Sequence, residues 1–322
     1  MTRSLWQRTS GMPMRLRLFL VAIDKANRKP LSTLTPEQIA KARALSPPPV
    51  FPATLVTGAL RSRVTRSMTS IPMRDGTRIP ARTYSPRQRA EGSAVFVYYH
   101  GGGWTMGRPM DYDSLLTMIA DELGVLVVAP DYRKAPQDKA PQAVLDCIDT
   151  FEWVRAAPEE LAGVGRIVVG GDSAGGNLSA LVALHARDTG AELAGQVLIY
   201  PAVDLSIHQQ VRDAPILDGE ALDVYKAHYL DGSGVAPEDP QVSPLRAASH
   251  AGLAPALVQT AERDPLCEEG EVYAETLRAA GVATRHTRYH AMPHGFINLP
   301  GVAPACVQAR WEIVDQVRGW LA

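Results

Sequence analysis

From residue 94 onward, short apolar runs alternate with longer segments in which apolar positions recur every three or four residues. Most of the runs are rich in β-branched side chains, which predicts strands buried on both faces of a sheet. The segments between them have the period of amphipathic helices. The apolar runs predict strands at 94–100, 125–132, 166–171, 196–203 and 255–262, and the more polar segment 284–290 is predicted as a further strand. Strands that alternate with helices in this way predict an α/β fold with a mainly parallel sheet.

Residues 1–62 have a helical pattern instead. One amphipathic segment runs around Leu16–Asn27, and a second begins after Thr35, a residue type that caps helices. Pro36 then takes the first helical position, where a missing N–H costs nothing. The proline-rich segment 46–52 ends this pattern and is predicted to be a connector.

A β-hairpin pattern opens the second part of the chain. It begins at Val64, and Asp75-Gly76 supplies the turn residues at the bend. With the strands that follow, the hairpin predicts an eight-stranded sheet flanked by helices. We assign residues 63–322 to one α/β domain and the preceding residues to a separate helical region. Within the domain, the stretch 204–235 is less regular and contains one further predicted helix.

Charge and cysteine content narrow the class of protein. The chain has 33 Lys and Arg against 34 Asp and Glu, so its formal net charge is −1 and no nucleic-acid partner is indicated. The apolar stretch Leu18–Ile23 is too short for a signal peptide or a membrane span. Cys147, Cys267 and Cys306 form neither a disulfide framework nor a zinc motif. We therefore expect a cytoplasmic protein that does not bind membranes.

The segment 171–175 (GDSAG) lies where a predicted strand passes into a helix. It fits a phosphate-binding turn, a plain glycine connection, or a strained turn that presents Ser173 as a nucleophile. The phosphate turn is disfavoured, because the G-x-G-x-x-G spacing and the Walker lysine are absent. In the third case, the glycines relieve crowding and the N–H of Ala174 faces a developing negative charge. Taken alone, the five residues favour the plain glycine turn.

A second glycine-rich segment, 100–103 (HGGG), favours the nucleophile instead. It follows the first predicted strand of the alternating region, and three successive glycines there cost conformational entropy without packing anything. The three glycines are explained if the loop must expose backbone N–H groups without side chains. The N–H groups of Gly102 and Gly103 would then converge with that of Ala174 on one oxyanion. His100 fits an organiser of this loop better than a general base.

A nucleophilic serine needs a base, and the base needs a carboxylate that fixes its tautomer. In a strand–turn–helix architecture of this kind the expected chain order is serine, carboxylate, histidine. Asp264 follows a predicted strand and is our preferred carboxylate, with Glu262 as its rival. His294 lies in the loop segment MPHGF and is preferred to His290 at the end of the preceding strand.

Together these motifs resemble the hormone-sensitive-lipase-like esterases, in the branch with a GDSAG motif, which have the α/β-hydrolase fold. The resemblance runs from about Val64 to the C-terminus and includes YYHGGGW, DYRKAP, GGDSAGGNLSA, AERDPL and MPHGF in the family's order. It implies that Ser173 is the nucleophile, Asp264 the orienting carboxylate and His294 the acid–base residue. The implied oxyanion donors are the backbone N–H groups of Gly102, Gly103 and Ala174.

The first sixty residues resemble the family's N-terminal helical cap in length and character, and the stretch 204–235 would complete that cap. Trp104, directly after the glycines, would narrow the space beside the substrate, although a packing role explains it equally well. H-E-x-x-H and paired Cys/His spacings are absent, so we expect no metal and no cofactor.

The resemblance implies a serine esterase that hydrolyses short-chain carboxylic esters through an acyl-enzyme. Its partner would be a small-molecule ester. The alternatives are a non-hydrolytic, lactone-acting or amide-acting member of the same fold, and a ligand-binding module. Because the strand 284–290 is the last one, we expect it at a sheet edge, where pairing between two chains would give a homodimer.

Overall fold

The computed structural model describes residues 4–25, 33–44, 52–89, 92–161, 163–209, 211 and 213–322. Its strands are β1 (Val64–Pro72), β2 (Arg78–Pro86), β3 (Val95–Tyr99), β4 (Leu126–Pro130), β5 (Ile167–Asp172), β6 (Gly195–Ile199), β7 (Ala256–Arg263) and β8 (Thr284–Pro293). Its α-helices are α1 (Leu5–Arg8), α2 (Met14–Lys25), α3 (Pro36–Ala44), α4 (Thr54–Thr57), α5 (Asp113–Leu123), α6 (Gln142–Arg155), α7 (Ala174–Thr189), α8 (Gly219–Leu230), α9 (Cys267–Ala279) and α10 (Pro304–Leu321).

The strands form one sheet in the order β1-β2-β4-β3-β5-β6-β7-β8. The β1–β2 and β2–β4 pairs are antiparallel, and every later pair is parallel. This topology confirms the predicted α/β-hydrolase fold with its eight-stranded, mainly parallel sheet. It also brings the carboxyl ends of β3, β5, β7 and β8 to one edge of the sheet, which is where parallel sheets carry functional groups.

Each face of the sheet packs against its own core. Alternate side chains of β3 point to opposite faces, so Val97 and Tyr99 join the core under α6, α7 and α9. Phe96 and Tyr98 join the core under α5 and α10 instead. Both cores are fully buried along β3, which explains why this strand is apolar throughout rather than alternating.

Two strand ends differ from their predicted positions. The strand predicted at 196–203 ends at Ile199, because Tyr200 has a positive φ of 35° and cannot continue the ladder. The strand predicted at 284–290 continues to Pro293, after a shift of register opposite Ala261 and Arg263. The predicted elements elsewhere in the sheet occur close to their expected bounds.

The N-terminal region is helical where the structure describes it. Thr35 caps α3 as predicted, since its Oγ accepts a hydrogen bond from the backbone N–H of Gln38 at 3.3 Å. The helix predicted around Leu16–Asn27 begins at Met14, and its last two predicted residues lie outside the described ranges, as does nearly all of the connector 46–52. No helix in the described part of the chain is long and apolar enough to cross a membrane.

A buried carboxylate ties the first turn of α9 to the loop after β6. Glu269 accepts hydrogen bonds from the backbone N–H of Val203 at 2.8 Å and from the side-chain amide of Gln209 at 2.9 Å. Burial raises the pKa of Glu269 from 4.5 to about 7, while these donors and the charge of Lys226 act in the opposite direction. The folded protein therefore binds a proton at Glu269 more tightly than the unfolded chain does.

We predict that Glu269→Gln gains stability over the wild type as pH rises. The raised pKa gives a stabilising contribution that is complete below pH 4.5 and lost as pH rises through about 7. Glutamine avoids this loss, which corresponds to roughly 3 kcal/mol. Gln209 can rotate its amide to present its unpartnered oxygen to the new side chain. Chemical denaturation at pH 5 and pH 8 measures the effect, and Glu268→Gln, at an exposed neighbour, is the control. If the free energies of unfolding of wild type and variant differ by the same amount at both pH values, the prediction is wrong.

The position of β8 at the sheet edge is confirmed. A homodimer is expected because an edge strand leaves backbone groups free to pair with a second chain. The dimer itself remains a prediction. Light scattering at micromolar concentration should give about twice the 34.8 kDa chain mass. A monomer mass for the wild type would rule the dimer out.

Candidate active site

Ser173 occupies the sharp corner between β5 and α7. Its backbone has φ 57° and ψ −120°, a conformation that costs about 1–3 kcal/mol for a residue with a side chain. The backbone N–H of Ser173 donates to the carbonyl of Ile199 at 2.8 Å. At Gly175 an added Cβ would lie 1.9 Å from the carbonyl oxygen of Tyr99, so only glycine lets α7 approach β3 this closely. The corner is strained and is held in place by its neighbours.

Two further strand ends bring their side chains to Ser173. His294 follows β8, and its Nε2 lies 2.9 Å from the Oγ of Ser173. Asp264 follows β7, and its Oδ2 lies 2.6 Å from the Nδ1 of His294. The second oxygen of Asp264 accepts from the backbone N–H of Leu266 at 2.9 Å. A continuous hydrogen-bonded series therefore runs from the hydroxyl to the imidazole to the carboxylate. All three residues are buried.

The rival carboxylate and histidine lie together elsewhere. Glu262 accepts from the backbone N–H of Ala291 at 2.7 Å, which lowers its pKa. Its other oxygen is 3.8 Å from the Nδ1 of His290, whose side chain is 81% exposed. The structure thus joins Ser173 to the preferred pair of residues and joins the two rivals to each other.

The glycine loop after β3 lines the same cavity as Ser173. Gly102, Gly103 and Ala174 all contribute to its wall. Within the described ranges, none of their three backbone N–H groups donates to another protein group. Gly103 has a φ of 59°, and an added Cβ would lie 2.3 Å from the ring of Tyr225. The loop therefore requires bare backbone, as its sequence indicated.

Asp172, which the sequence did not single out, connects this loop to the corner. One carboxylate oxygen accepts from the N–H of Gly101 at 2.8 Å and from the hydroxyl of Tyr98 at 2.9 Å. The other accepts from the hydroxyl of Tyr112 at 3.0 Å. Burial raises the pKa of Asp172, against the effect of these donors. Because Asp172 directly precedes Ser173, its hydrogen bonds fix the glycine loop relative to that residue.

His100 lies under the glycine loop. Its ring stacks on Tyr132 with 4.3 Å between centroids, and its Nδ1 is 2.8 Å from the carbonyl oxygen of Gly101. The hydroxyl of Tyr132 donates to the carbonyl of His100 at 2.7 Å. These contacts are those of a residue that organises the loop.

Trp104 and α8 cover the cavity. The indole of Trp104 is buried and stacks on Tyr229 with 4.8 Å between centroids and an interplanar angle of 3°. Tyr225, one turn earlier on α8, lies against Gly103. From the N-terminal region, Arg43 of α3 donates to the carbonyl of Thr105, just after the glycine loop. Trp104 thus has a packing partner and also contributes to the cavity wall.

The cavity beside Ser173 and His294 has a volume of about 210 Å³. Its apolar walls are formed by Trp104, Ile216, Leu217, Leu222, Tyr225 and Leu266. A larger depression of about 630 Å³ opens near the amino ends of β5 and β6, away from these side chains. Across the described ranges, no group of three or more His, Cys, Asp or Glu residues is placed to hold a metal ion.

Known proteins share this arrangement of sequence and fold. Residues 96–298 match the family model described as alpha/beta hydrolase fold. The carboxylic ester hydrolase LipN of Mycobacterium tuberculosis is 39% identical over 255 residues, covering 76% of this chain and 68% of LipN. The carboxylesterase NlhH of the same species is 40% identical over 241 residues, covering 72% of this chain and 76% of NlhH. A hyperthermophilic esterase from the archaeon Pyrobaculum calidifontis superposes with a TM-score of 0.84 at 33% identity, covering 97% of this chain and 99% of the esterase.

The matched residues 96–298 include Ser173, Asp264, His294 and the glycine loop. The resemblance to the hormone-sensitive-lipase-like esterases is thereby confirmed, and the chain belongs to the α/β-hydrolase fold family.

Proposed function

We propose that this carboxylic ester hydrolase cleaves short-chain carboxylic esters through an acyl-enzyme formed on Ser173. The observation that carries the proposal is the hydrogen-bonded series Ser173–His294–Asp264 at the wall of a small apolar cavity. A serine that is strained, buried and bonded to an imidazole has the geometry of an activated nucleophile. The ester hydrolases among the relatives support the same chemistry.

In the proposed reaction, the Oγ of Ser173 attacks the ester carbonyl carbon while the Nε2 of His294 takes the hydroxyl proton. The carbonyl oxygen becomes an oxyanion and accepts hydrogen bonds from the backbone. These donors are the N–H groups of Gly102, Gly103 and Ala174. Ala174 is the first residue of the 16-residue α7, so the dipole of that helix adds to the stabilisation.

The tetrahedral intermediate then collapses, and the bond from carbonyl carbon to alcohol oxygen breaks. His294 gives its proton to that oxygen, so the alcohol leaves neutral and the acyl group stays on Ser173. Water attacks the acyl-enzyme by the same route, with His294 first as base and then as acid. Asp264 holds the imidazole in the required tautomer and stabilises its positive charge. These steps use only the chain's own groups and water.

The cover over the cavity suits small esters. The proposed cap consists of residues 1–62 and 204–235, from which Arg43 and Tyr225 reach the glycine loop. A cavity of about 210 Å³ is smaller than the roughly 300–1,000 Å³ of sites for drug-sized ligands. Trp104 would limit the space beside the reacting ester group. We infer a small-molecule substrate with a short acyl chain.

Ser173→Ala should lower kcat for p-nitrophenyl acetate by roughly four orders of magnitude or more, because the covalent route is lost. Steady-state kinetics on the purified variant measure this change. Thermal unfolding should show a folded protein, since alanine keeps the backbone of the corner. A folded variant that retains near-wild-type turnover would contradict the mechanism.

His294→Ala should damage activity about as much as Ser173→Ala, because residues of such a series act as a unit. His290→Ala is the matched control and should have a mild effect, since its side chain is 81% exposed. In the same way, Asp264→Ala should lower kcat far more than Glu262→Ala does. A reversed order within either pair would move the role to the rival residue.

The acyl preference is tested with p-nitrophenyl esters from acetate to palmitate. The family resemblance implies the best kcat/KM at roughly two to eight acyl carbons, and each buried methylene adds about 0.8 kcal/mol of binding free energy until the wall of the cavity is reached. An optimum at palmitate, or strong activation by an oil–water interface, would indicate a true lipase instead.

A further inference from the structure

A second, mainly apolar cavity adjoins the one that holds Ser173. Its volume is about 470 Å³, and it lies between the N-terminal helices, the segment 213–218 and the chain after His294. Side chains of α1 and α2 form its outer wall, among them Leu5, Phe19 and Ile23. We call this cavity the outer groove. The outer groove and the reactive cavity share two lining residues, Ile216 and Gly295, so the two cavities are neighbours at these residues.

Ile216 has an unusual backbone at this junction. Its φ is 72°, and the N–H of Leu217 donates to the carbonyl of Pro215 at 3.0 Å, which makes a three-residue γ-turn centred on Ile216. With a positive φ, such a turn is rare and strained, and a β-branched residue there is an outlier. The side chain of Ile216 is nevertheless 48% exposed, so burial in the core does not compensate for the strain.

The strained turn is held from both sides. Before it, the carbonyl of Ala214 accepts from the guanidinium of Arg8 at 3.3 Å, which fixes the turn to α1. After it, Asp218 caps α8, since its side chain accepts from the N–H of Ala221 at 2.9 Å. Backbone strain that persists because the surroundings impose it is a feature of ligand-binding and active sites.

We propose that the outer groove binds the alkyl part of the substrate's alcohol, and that Ile216 narrows the passage through which this chain crosses. The inference rests on the proposed esterase function. The leaving oxygen takes its proton from the Nε2 of His294, so the alcohol departs on the side of that residue. Gly295 directly follows His294, and Gly295 and Leu299 both line the outer groove. The groove thus begins where the leaving group is expected. Apart from Arg8 and Asp218, the side chains that line it are apolar and suit an alkyl chain.

The test measures kcat/KM for ethyl acetate and octyl acetate, which differ only in the alcohol. The wild type should prefer octyl acetate. Ile23→Asp places a charge at the outer wall and should lower the octyl-to-ethyl ratio about tenfold or more, because each buried methylene contributes about fourfold. Leu18→Asp is the matched control on the same helix. Leu18 is 57% exposed and Ile23 is 43% exposed, but only Ile23 lines the groove.

The junction is tested with two further variants. Ile216→Phe should lower the octyl-to-ethyl ratio by narrowing the passage. Ile216→Gly removes the side chain and suits the positive φ, so the octyl-to-ethyl ratio should be unchanged or higher. A fall of the ratio in Ile216→Gly would overturn the assignment of Ile216 as a constriction.

The outcomes separate this inference from the function on which it depends. A wild type that hydrolyses no acetate ester would refute the esterase function itself. Hydrolysis with equal ratios in Ile23→Asp and Leu18→Asp would leave the function in place and overturn the groove. In a third outcome, Ile23→Asp changes the preference among p-nitrophenyl esters of growing acyl length and leaves the octyl-to-ethyl ratio unchanged. That result would assign the groove to the acyl chain and overturn the proposal.

Discussion

The close contact between the start of α7 and the end of β3 is the constraint on which the site depends. Helix α7 can reach β3 only because Gly175 has no side chain to meet the carbonyl of Tyr99. The tight approach forces the chain to turn within one residue, and Ser173 takes the strained backbone conformation at that turn. The serine hydroxyl therefore points out of the sheet edge, towards the loops that follow β7 and β8.

Buried carboxylates then hold the surrounding loops at fixed distances from this corner. Asp172 binds the N–H of Gly101 and so couples the glycine loop to the residue beside Ser173. Glu269 binds the N–H of Val203 and couples the chain after β6 to the helix that follows Asp264. Buried carboxylates are costly unless they are hydrogen-bonded, so each of them holds its partners firmly. Local strain at one residue is thus supported by contacts between distant parts of the chain.

The sequence predicted the elements whose pattern is local. Apolar runs identified the strands, and the glycines around Ser173 indicated its corner. Asp264 and His294 followed from chain order and loop context, although Glu262 and His290 remained alternatives until the structure showed the distances. The roles of Asp172 and Glu269 depend on partners far away in the chain, which no local pattern reveals. The same applies to Ile216, because the segment APILDG contains no turn residue at that position to signal a positive φ.

Labelling with an organophosphate ester is the direct test of whether His294 activates Ser173 as a covalent nucleophile. The protein is treated with diethyl p-nitrophenyl phosphate, p-nitrophenol release is followed, and the labelled peptide is identified by mass spectrometry. We expect one diethylphosphoryl group per chain, attached to Ser173, with release of one p-nitrophenol for each group attached and little labelling in His294→Ala. Absence of labelling in the wild type, or labelling at another residue, would contradict it.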